Sequence, residues 1–529
     1  MSNRAAEGFR KSRHGGRGGC RRQPRRKVDL AVQTKSCPAV AAMRRAIDGQ
    51  MNTLVLIRRQ PHKATAFSFP ISGPRPILSE ERKPFPGVPF PARATVRTMI
   101  CSNVTTDQGI LCFGGVPVTK LAEKYGSPLY IMDEDRIRQN CRTYVQAMKQ
   151  YAGEDALPLY ASKAASFKQI YRIVREEGMG VDVVSSGEIF TAVQAGFPMD
   201  RAYFHSNNKT DEDISYAMDA GVGYFVVDST EELLAVDRIA GERGQTQKIL
   251  LRLTPGIDPH TYEAVATGKV DSKFGLGIET GEAAKITALA LSLSHIALEG
   301  FHCHVGSQVF DSDTFLRSAQ IMIEFMVQMR TEHGYAASIL NLGGGYGVRY
   351  VESDPVIDIA DQIRQVAEGI RSLCRRYDFP VPALRLEPGR SIVADAGMTL
   401  YTAGTVKTIP GHKTYISVDG GMTDNPRFAL YGSAYTVLIA NRMDEPRDLV
   451  CDVVGRCCES GDIIQQKVPM PSSVTRGDLV AVLTTGAYNY SMASNYNRIP
   501  RLPIVMVRGG ESYLAVRRET LDDLVRCDL

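Results

Sequence analysis

The chain has 529 residues, of which 43% are hydrophobic and 23% charged, enough for two or three folded domains and too apolar to be disordered throughout. No apolar run approaches the length of a membrane span, so no helical span is expected. The formal net charge of +5 divides unevenly: residues 1–99 hold 21 Lys/Arg against 5 Asp/Glu, a net of +16, while residues 100–529 hold 42 against 53, a net of −11.

Residues 1–98 carry Arg clusters (Arg21-Arg22, Arg25-Arg26-Lys27), scattered prolines and no sustained periodicity. This composition is expected to form a disordered basic extension. It reads as an upstream extension ahead of a start at Met99, as an Arg-rich transit peptide, or as a nucleic-acid-binding arm. Eleven cysteines without CxxC spacing argue against a structural zinc site or a disulfide framework, and predict buried free thiols in a reducing compartment.

Regular patterning begins near Gly109. GILCFGGVPV reads as a strand pair, VTKLAEKYG as a short amphipathic helix closed by Gly126, LYIMD as a strand and EDRIRQNCRTYVQAMKQY as a helix. Strands and helices then alternate. Eight strands are expected at 157–163, 180–185, 202–206, 224–228, 248–255, 298–306, 339–345 and 383–390, with helical segments between nearly all of them. Eight strand–helix units over roughly 240 residues is the pattern of a (β/α)8 barrel. A doubly wound sheet is the alternative, but no GxGxxG opens the first unit. After about Met398 the short strands TLYTAGTVKTI, TYISVDGGM, DLVCDVVGRC, DLVAVLTTG and PIVMVRGG stand between turn signals, which predicts an all-β domain. The expected organisation is 1–98 as extension, 99–132 as an N-terminal piece joining the C-terminal β domain, 133–397 as the barrel and 398–529 as the β domain.

In a barrel the chemistry gathers at the C-terminal strand ends. Those ends offer Lys163, Ser185, His304, the Gly343–Gly345 turn and Glu387. Lys163 follows the buried strand LPLYA, where an ammonium is costly unless used, as by a Schiff-base lysine. The alternative is a rim lysine reaching water. LNLGGGYG allows backbone N–H groups to approach a phosphate, or is simply a tight turn. His302 and His304 stand two apart, on one face of a strand. They suggest a metal pair, but no third ligand stands at suitable spacing, and a ring stacked on an aromatic cofactor is the better reading for one of them. Together these residues fit pyridoxal phosphate: a lysine to hold it, glycines for its phosphate, a histidine on its ring and a carboxylate at its ring nitrogen. A carboxylate there keeps the nitrogen protonated and favours decarboxylation over simple racemisation.

The motifs YASKA, VDVVSSGE, HSNNKT, PGIDPHTYEAVATGKVDSKFG, HCHVGSQ, LGGGYG, EPGRS, VDGGMTDNPRFALY, CCESGD and TGAYNYSMASNYN occur in this order from about Gly109 to Arg508. In this the chain resembles the diaminopimelate decarboxylase family. The resemblance implies an alanine-racemase-like barrel of fold-type III with a C-terminal β domain, a homodimer with shared active sites, and decarboxylation of meso-diaminopimelate to L-lysine. It implies Lys163 as the Schiff-base lysine and His304 as the ring-stacking residue. Ser307, Gly345 and the Glu387–Arg390 turn, including Gly389, would hold the cofactor. Arg390, Arg427 and Tyr431 would bind the distal carboxylate, and Tyr488 would touch cofactor and substrate. Cys458 as proton donor and Glu459 as distal-ammonium ligand would come from the other subunit.

The chain departs from the family's usual pattern at Arg456, Thr484-Thr485 and Ser186, none of which has a chemical role above. Two rivals stand beside this reading. One is a decarboxylase of the same fold acting on arginine, ornithine or carboxynorspermidine, against which Arg427 and Tyr431 speak. The other is an inactive regulatory relative, against which Lys163 and Cys458 speak. No metal, nucleic acid or membrane is expected as a partner. A cytoplasmic location is expected, or a plastid one if the extension is a transit peptide.

Overall fold

The computed structural model describes residues 99–257 and 272–529. The basic extension and most of the PGIDPHTYEAVATGKVDSKFG motif lie outside the described residues. Within them, eight strands pair in parallel and close on themselves: Leu157–Ala161, Gly180–Val183, Ala202–Phe204, Tyr224–Val227, Gln247–Thr254, Ile296–His302, Ile339–Asn341 and Ala383–Leu386. The closing pair joins the last strand to the first, through Arg385 opposite Leu157 and Leu386 opposite Pro158. A ninth short strand, Leu276–Gly277, hangs on the fifth barrel strand.

All eight expected barrel strands are present, but they end earlier than the apolar pattern suggests. Lys163 lies in a 3-10 turn, Ser162–Ala164, beyond the first strand. His304, Gly343–Gly345 and Glu387 likewise follow the last residues of their strands, His302, Asn341 and Leu386. A strand-length apolar run thus overstates the ladder, and the candidate residues sit on connecting backbone at the barrel mouth.

Side-chain alternation sorts each strand into two faces. Tyr160, Val181, Val183, Phe204, Phe225, Val227, Ile249 and Leu251 belong to the large core under the surrounding helices. Residues of the other parity, Leu159, Tyr203, Val226, Leu250 and Ile339, form a separate cluster that fills the barrel. The helix Glu134–Ala152 shows why a helix packs here. Asp133 caps it by accepting from Arg136 N, and Ile137, Cys141, Tyr144 and Met148 bury one stripe.

The second large sheet is built on Leu129–Asp133, which lies between Gly397–Leu400 (antiparallel) and Ile504–Val507 (parallel). Gly397–Ile409, Lys413–Val418, Leu449–Val454, Leu479–Leu483 and Ile504–Arg508 are observed where strands were expected. Val437–Ile439, Ile463–Met470 and Glu511–Val516 join them. The early strand pair does not pair into this sheet. Val104–Asp107, Ile110–Phe113 and Val116–Pro117 form a three-stranded sheet of their own. It packs onto the larger one through Leu111, Phe113, Leu400, Leu438 and Val505. Asp133 ends a strand of this sheet and starts the helix before the barrel, so the sheet is fixed close to the first barrel strand. Among the described residues no helix is long and apolar enough to cross a membrane. Nine described cysteines are free, and six of these are buried.

Candidate active site

The alternation that fills the barrel with apolar groups lower down turns polar at the mouth. Asp182, His205, His302, Asn341 and Glu387 are all buried there, each on the inward parity of its strand or one step past its end. Glu387 is their centre. Its Oε1 accepts from Asn341 Nδ2 at 2.7 Å, and its Oε2 faces His302 Nε2 at 3.2 Å. His205 Nε2 is 2.8 Å from Glu387 Oε1, off the line of a hydrogen bond, and 3.8 Å from Asp182 Oδ1.

Burial raises the Glu387 carboxyl, but the contacts of His205 and His302 overcome this and hold it well below the usual carboxylate range. Burial pushes His302 down to about 4, so its ring is neutral and its Nε2–H is the donor to Glu387. Burial, then the nearby Lys163 ammonium, drives His304 well below its ordinary value. A neutral His304 ring is suited to lie flat on an aromatic face.

His205, His302 and Glu387 offer ligand atoms within 4.8 Å of one another. Of the His302/His304 pair weighed from the sequence only His302 belongs to this group, and the other two members come from other strands. A second donor, Asn341, already occupies Glu387 Oε1, and the charge of the half-buried Arg252 acts on both Glu387 and Asp182, so the cluster is balanced by protein groups.

Lys163 itself is exposed, not buried as the strand before it suggested. The Gly343–Gly345 turn is explained first by packing. Gly343 (φ +69°) and Gly345 (φ +121°) take conformations that side chains resist. A Cβ on Gly343 would meet His304 Nδ1 at 2.7 Å, and one on Gly345 would meet Gly306 O at 2.3 Å. The turn's carbonyls are used, by Glu387 N on Gly343 and Val309 N on Gly345, while the amides of Gly344 and Gly345 meet no protein acceptor among the described residues. Gly389 serves the same closeness, since a Cβ there would stand 3.0 Å from Ala161.

Arg390 and Arg427 are both buried and share one ring. Their guanidinium carbons lie 4.8 and 4.9 Å from the centre of Tyr488. Arg390 donates through Nη2 to Ser307 Oγ at 2.9 Å and through Nη1 to the Tyr350 hydroxyl at 2.7 Å. Arg427 stands 5.3 Å from the Tyr431 ring centre, and its buried Nε has no hydrogen-bond partner among the described residues.

Cys458 and Glu459 are not brought to this cluster. Both are exposed on the loop after Leu449–Val454, where Cys458 N donates to Asn497 Oδ1 at 2.8 Å and Glu459 Oε1 accepts from Gly461 N at 3.3 Å. The sequence reading missed Asp182, His205, Asn341 and Tyr350. For the first three the available signal was a lone polar residue on the inward parity of an apolar strand or one step past its end, whereas Tyr350 lies on a connection outside any strand and gave none.

Residues 134–394 match the family described as pyridoxal-dependent decarboxylase, pyridoxal binding domain. The chain is 44% identical over 421 residues to the diaminopimelate decarboxylase of Bacillus subtilis, covering 80% of this chain and 95% of that one. It is 42% identical over 417 residues to the Staphylococcus aureus enzyme of the same name, covering 79% and 97%. Among solved structures, diaminopimelate decarboxylase from M. jannaschii in complex with L-lysine superposes with a TM-score of 0.76 at 32% identity, covering 82% of this chain and 99% of that one.

Proposed function

The chain belongs to the diaminopimelate decarboxylase family, and we propose that the residues gathered at the barrel mouth carry that family's reaction. The reaction releases CO2 from meso-2,6-diaminopimelate and leaves L-lysine, the last step of lysine biosynthesis. The protein is a pyridoxal-phosphate-dependent carboxy-lyase.

The residues fit the cofactor. Lys163 would hold it through Nζ, and the Gly344 and Gly345 amides, without an acceptor among the described residues, would take its phosphate with Ser307. His304 would lie on the ring, with Gly389 keeping the Glu387–Arg390 turn close to the lysine. Glu387, kept ionised, would hold the proton on the ring nitrogen. Bound there, pyridoxal phosphate supplies the sink for the electron pair left at Cα when the carboxylate departs as CO2.

The remaining steps belong to this chain. The substrate has an amino acid group at each end, so the end that does not react needs cations for its carboxylate and an anion for its ammonium. Arg427 carries this reading: a buried guanidinium with a free Nε, ring against Tyr488, is a prepared carboxylate site. Arg390, Tyr431 and Tyr488 complete it. A diamine-forming decarboxylase has no use for it. Glu459 of the partner subunit would take the distal ammonium, and Cys458 of the partner subunit would return a proton to Cα. Their exposure, with Cys458 N bonded to Asn497 rather than to a residue of the mouth, supports a homodimer with shared sites. The reading takes 133–397 as the cofactor-binding barrel and 398–529, joined by 99–132, as the β domain that carries substrate recognition, in a cytoplasmic enzyme. The direct test is product analysis: purified protein supplied with pyridoxal phosphate and meso-diaminopimelate should form L-lysine and CO2 one for one. Absence of lysine from the active, cofactor-loaded protein would refute it.

A further inference from the structure

We propose that His205 is a positioning residue that separates two buried carboxylates, Asp182 and Glu387, and so keeps Glu387 fit to hold a proton on the cofactor ring. The inference deepens the reading above and rests on Glu387 serving that ring.

Asp182 and Glu387 come from the second and eighth barrel strands and are 4% and 7% exposed. One nitrogen, His205 Nε2, stands between them, 2.8 Å from Glu387 Oε1 and 3.8 Å from Asp182 Oδ1. A nitrogen facing two carboxylates carries a hydrogen, which fixes the tautomer as Nε2–H. Asp182 Oδ1 has no hydrogen-bond partner among the described residues. The His205 ring is held edge-on to His302, with centroids 4.9 Å apart at 70°. On the far side Asn341 donates to Glu387 Oε1 and accepts from Gly343 N at 2.9 Å, tying the carboxylate to the glycine turn.

Two carboxylates in one buried site push each other's proton affinity apart. Burial raises Asp182, and the Glu387 charge raises it further, while Glu387 stays low. Taking the imidazole away leaves Asp182 facing Glu387 without the N–H between them, the charges of Lys163 and Arg252 still acting on Asp182. Glu387 then gains affinity for a proton of its own, and a protonated Glu387 cannot stabilise a protonated ring nitrogen. This makes a distinctive claim: the defect of a His205 variant comes from Asp182, and removing the Asp182 charge should cure it.

The test compares His205→Leu, His205→Gln, Asp182→Asn/His205→Leu and Glu387→Gln with the unaltered protein. Each is stripped of cofactor and titrated with pyridoxal phosphate, and the dissociation constant, visible band, kcat and KM are recorded. His205→Leu should weaken cofactor binding by at least about tenfold, the equivalent of one pK unit. It should also shift the band and lower kcat with KM for meso-diaminopimelate nearly unchanged. His205→Gln, which keeps an N–H donor, and the double variant should recover most of the loss. A His205→Leu protein with unaltered affinity and band overturns the proposal, as does a defect that neither rescue relieves. If His205→Leu does not fold, the double variant decides, since folding with cofactor bound supports the proposal and failure overturns it. Glu387→Gln separates the two layers. An unshifted band there removes Glu387 from the ring, whereas a shifted band with no effect of His205→Leu removes only His205.

Discussion

The backbone amide of Tyr488 donates to the carbonyl of Ala164 at 2.6 Å, one residue beyond Lys163. Tyr488 reaches that bond at φ +71°, and its ring then stands against both Arg390 and Arg427. A loop of the β-domain sheet is thereby locked to the turn that presents the lysine. The spacing between the proposed cofactor anchor and the proposed distal-carboxylate site is set by protein backbone rather than by a mobile linker, as positioning of a reacting bond requires.

Lys163→Ala should fold with the stability of the unaltered protein and lose the visible absorbance of the bound cofactor. Lys163 is exposed and ends no helix of the core, so no packing is lost. The check is borohydride reduction followed by denaturation, which turns the imine into an amine and leaves the reduced cofactor covalently attached to the unaltered protein but not to the variant. Cofactor retained covalently by the variant assigns the attachment to another residue.

Arg427→Ala should cost about 3–5 kcal/mol of transition-state binding, by analogy with other buried charge pairs. That corresponds to roughly two to four orders of magnitude in kcat/KM. Cofactor binding should hold, because Lys163, His304, the glycine turn and Glu387 all come from barrel connections. Loss of the cofactor band in this variant would contradict the distal-carboxylate role.

Lys163→Ala and Glu459→Ala subunits, each inactive alone, should recover activity on mixing. A heterodimer holds one site in which both residues are intact. Random pairing in an isologous dimer then gives about a quarter of the unaltered number of sites. Subunits that exchange, as shown by native mass spectrometry, without any return of activity place Glu459 outside the partner's site.

How much was legible follows from where each signal lives. The barrel was readable because every strand–helix unit carries its own period and caps, as with Asp133, or Ser229, which accepts from Glu232 N. Lys163, His304 and Glu387 were readable because each follows an apolar strand directly. His205 and Asp182 were not, because their meaning depends on each other and on Glu387, 205 positions after Asp182, and only closure of the barrel makes them neighbours. In the β domain, Ile463–Met470 was missed because its central Gln465-Gln466-Lys467 stretch is polar, and its pairing with Leu449–Val454 supplies what local pattern does not.

A stability prediction attaches to Asp424, which is 2% exposed and pushed up from 3.8 to about 7 by burial. Its Oδ1 accepts from Gly421 N at 3.0 Å and Thr423 Oγ1 at 2.9 Å, and Tyr401 donates its hydroxyl to Oδ2. A carboxyl with a folded value above its unfolded one binds its proton more tightly when folded. Its contribution is therefore fully present below the unfolded value and lost as pH rises through the folded value. Between about pH 4 and 7 the protein should lose stability that Asp424→Asn retains, so the melting temperatures of the two should converge at low pH and separate as pH rises. Parallel melting curves across that range would show that Asp424 does not titrate there.

The most direct measurement is CO2 release by the purified, cofactor-loaded protein from meso-diaminopimelate, arginine and ornithine, each at the same concentration. Arg427 with its free Nε and the ring it shares with Arg390 predict rapid release from meso-diaminopimelate alone, since only that substrate brings a distal carboxylate to them. Comparable release from arginine or ornithine, or none from meso-diaminopimelate, would contradict the account.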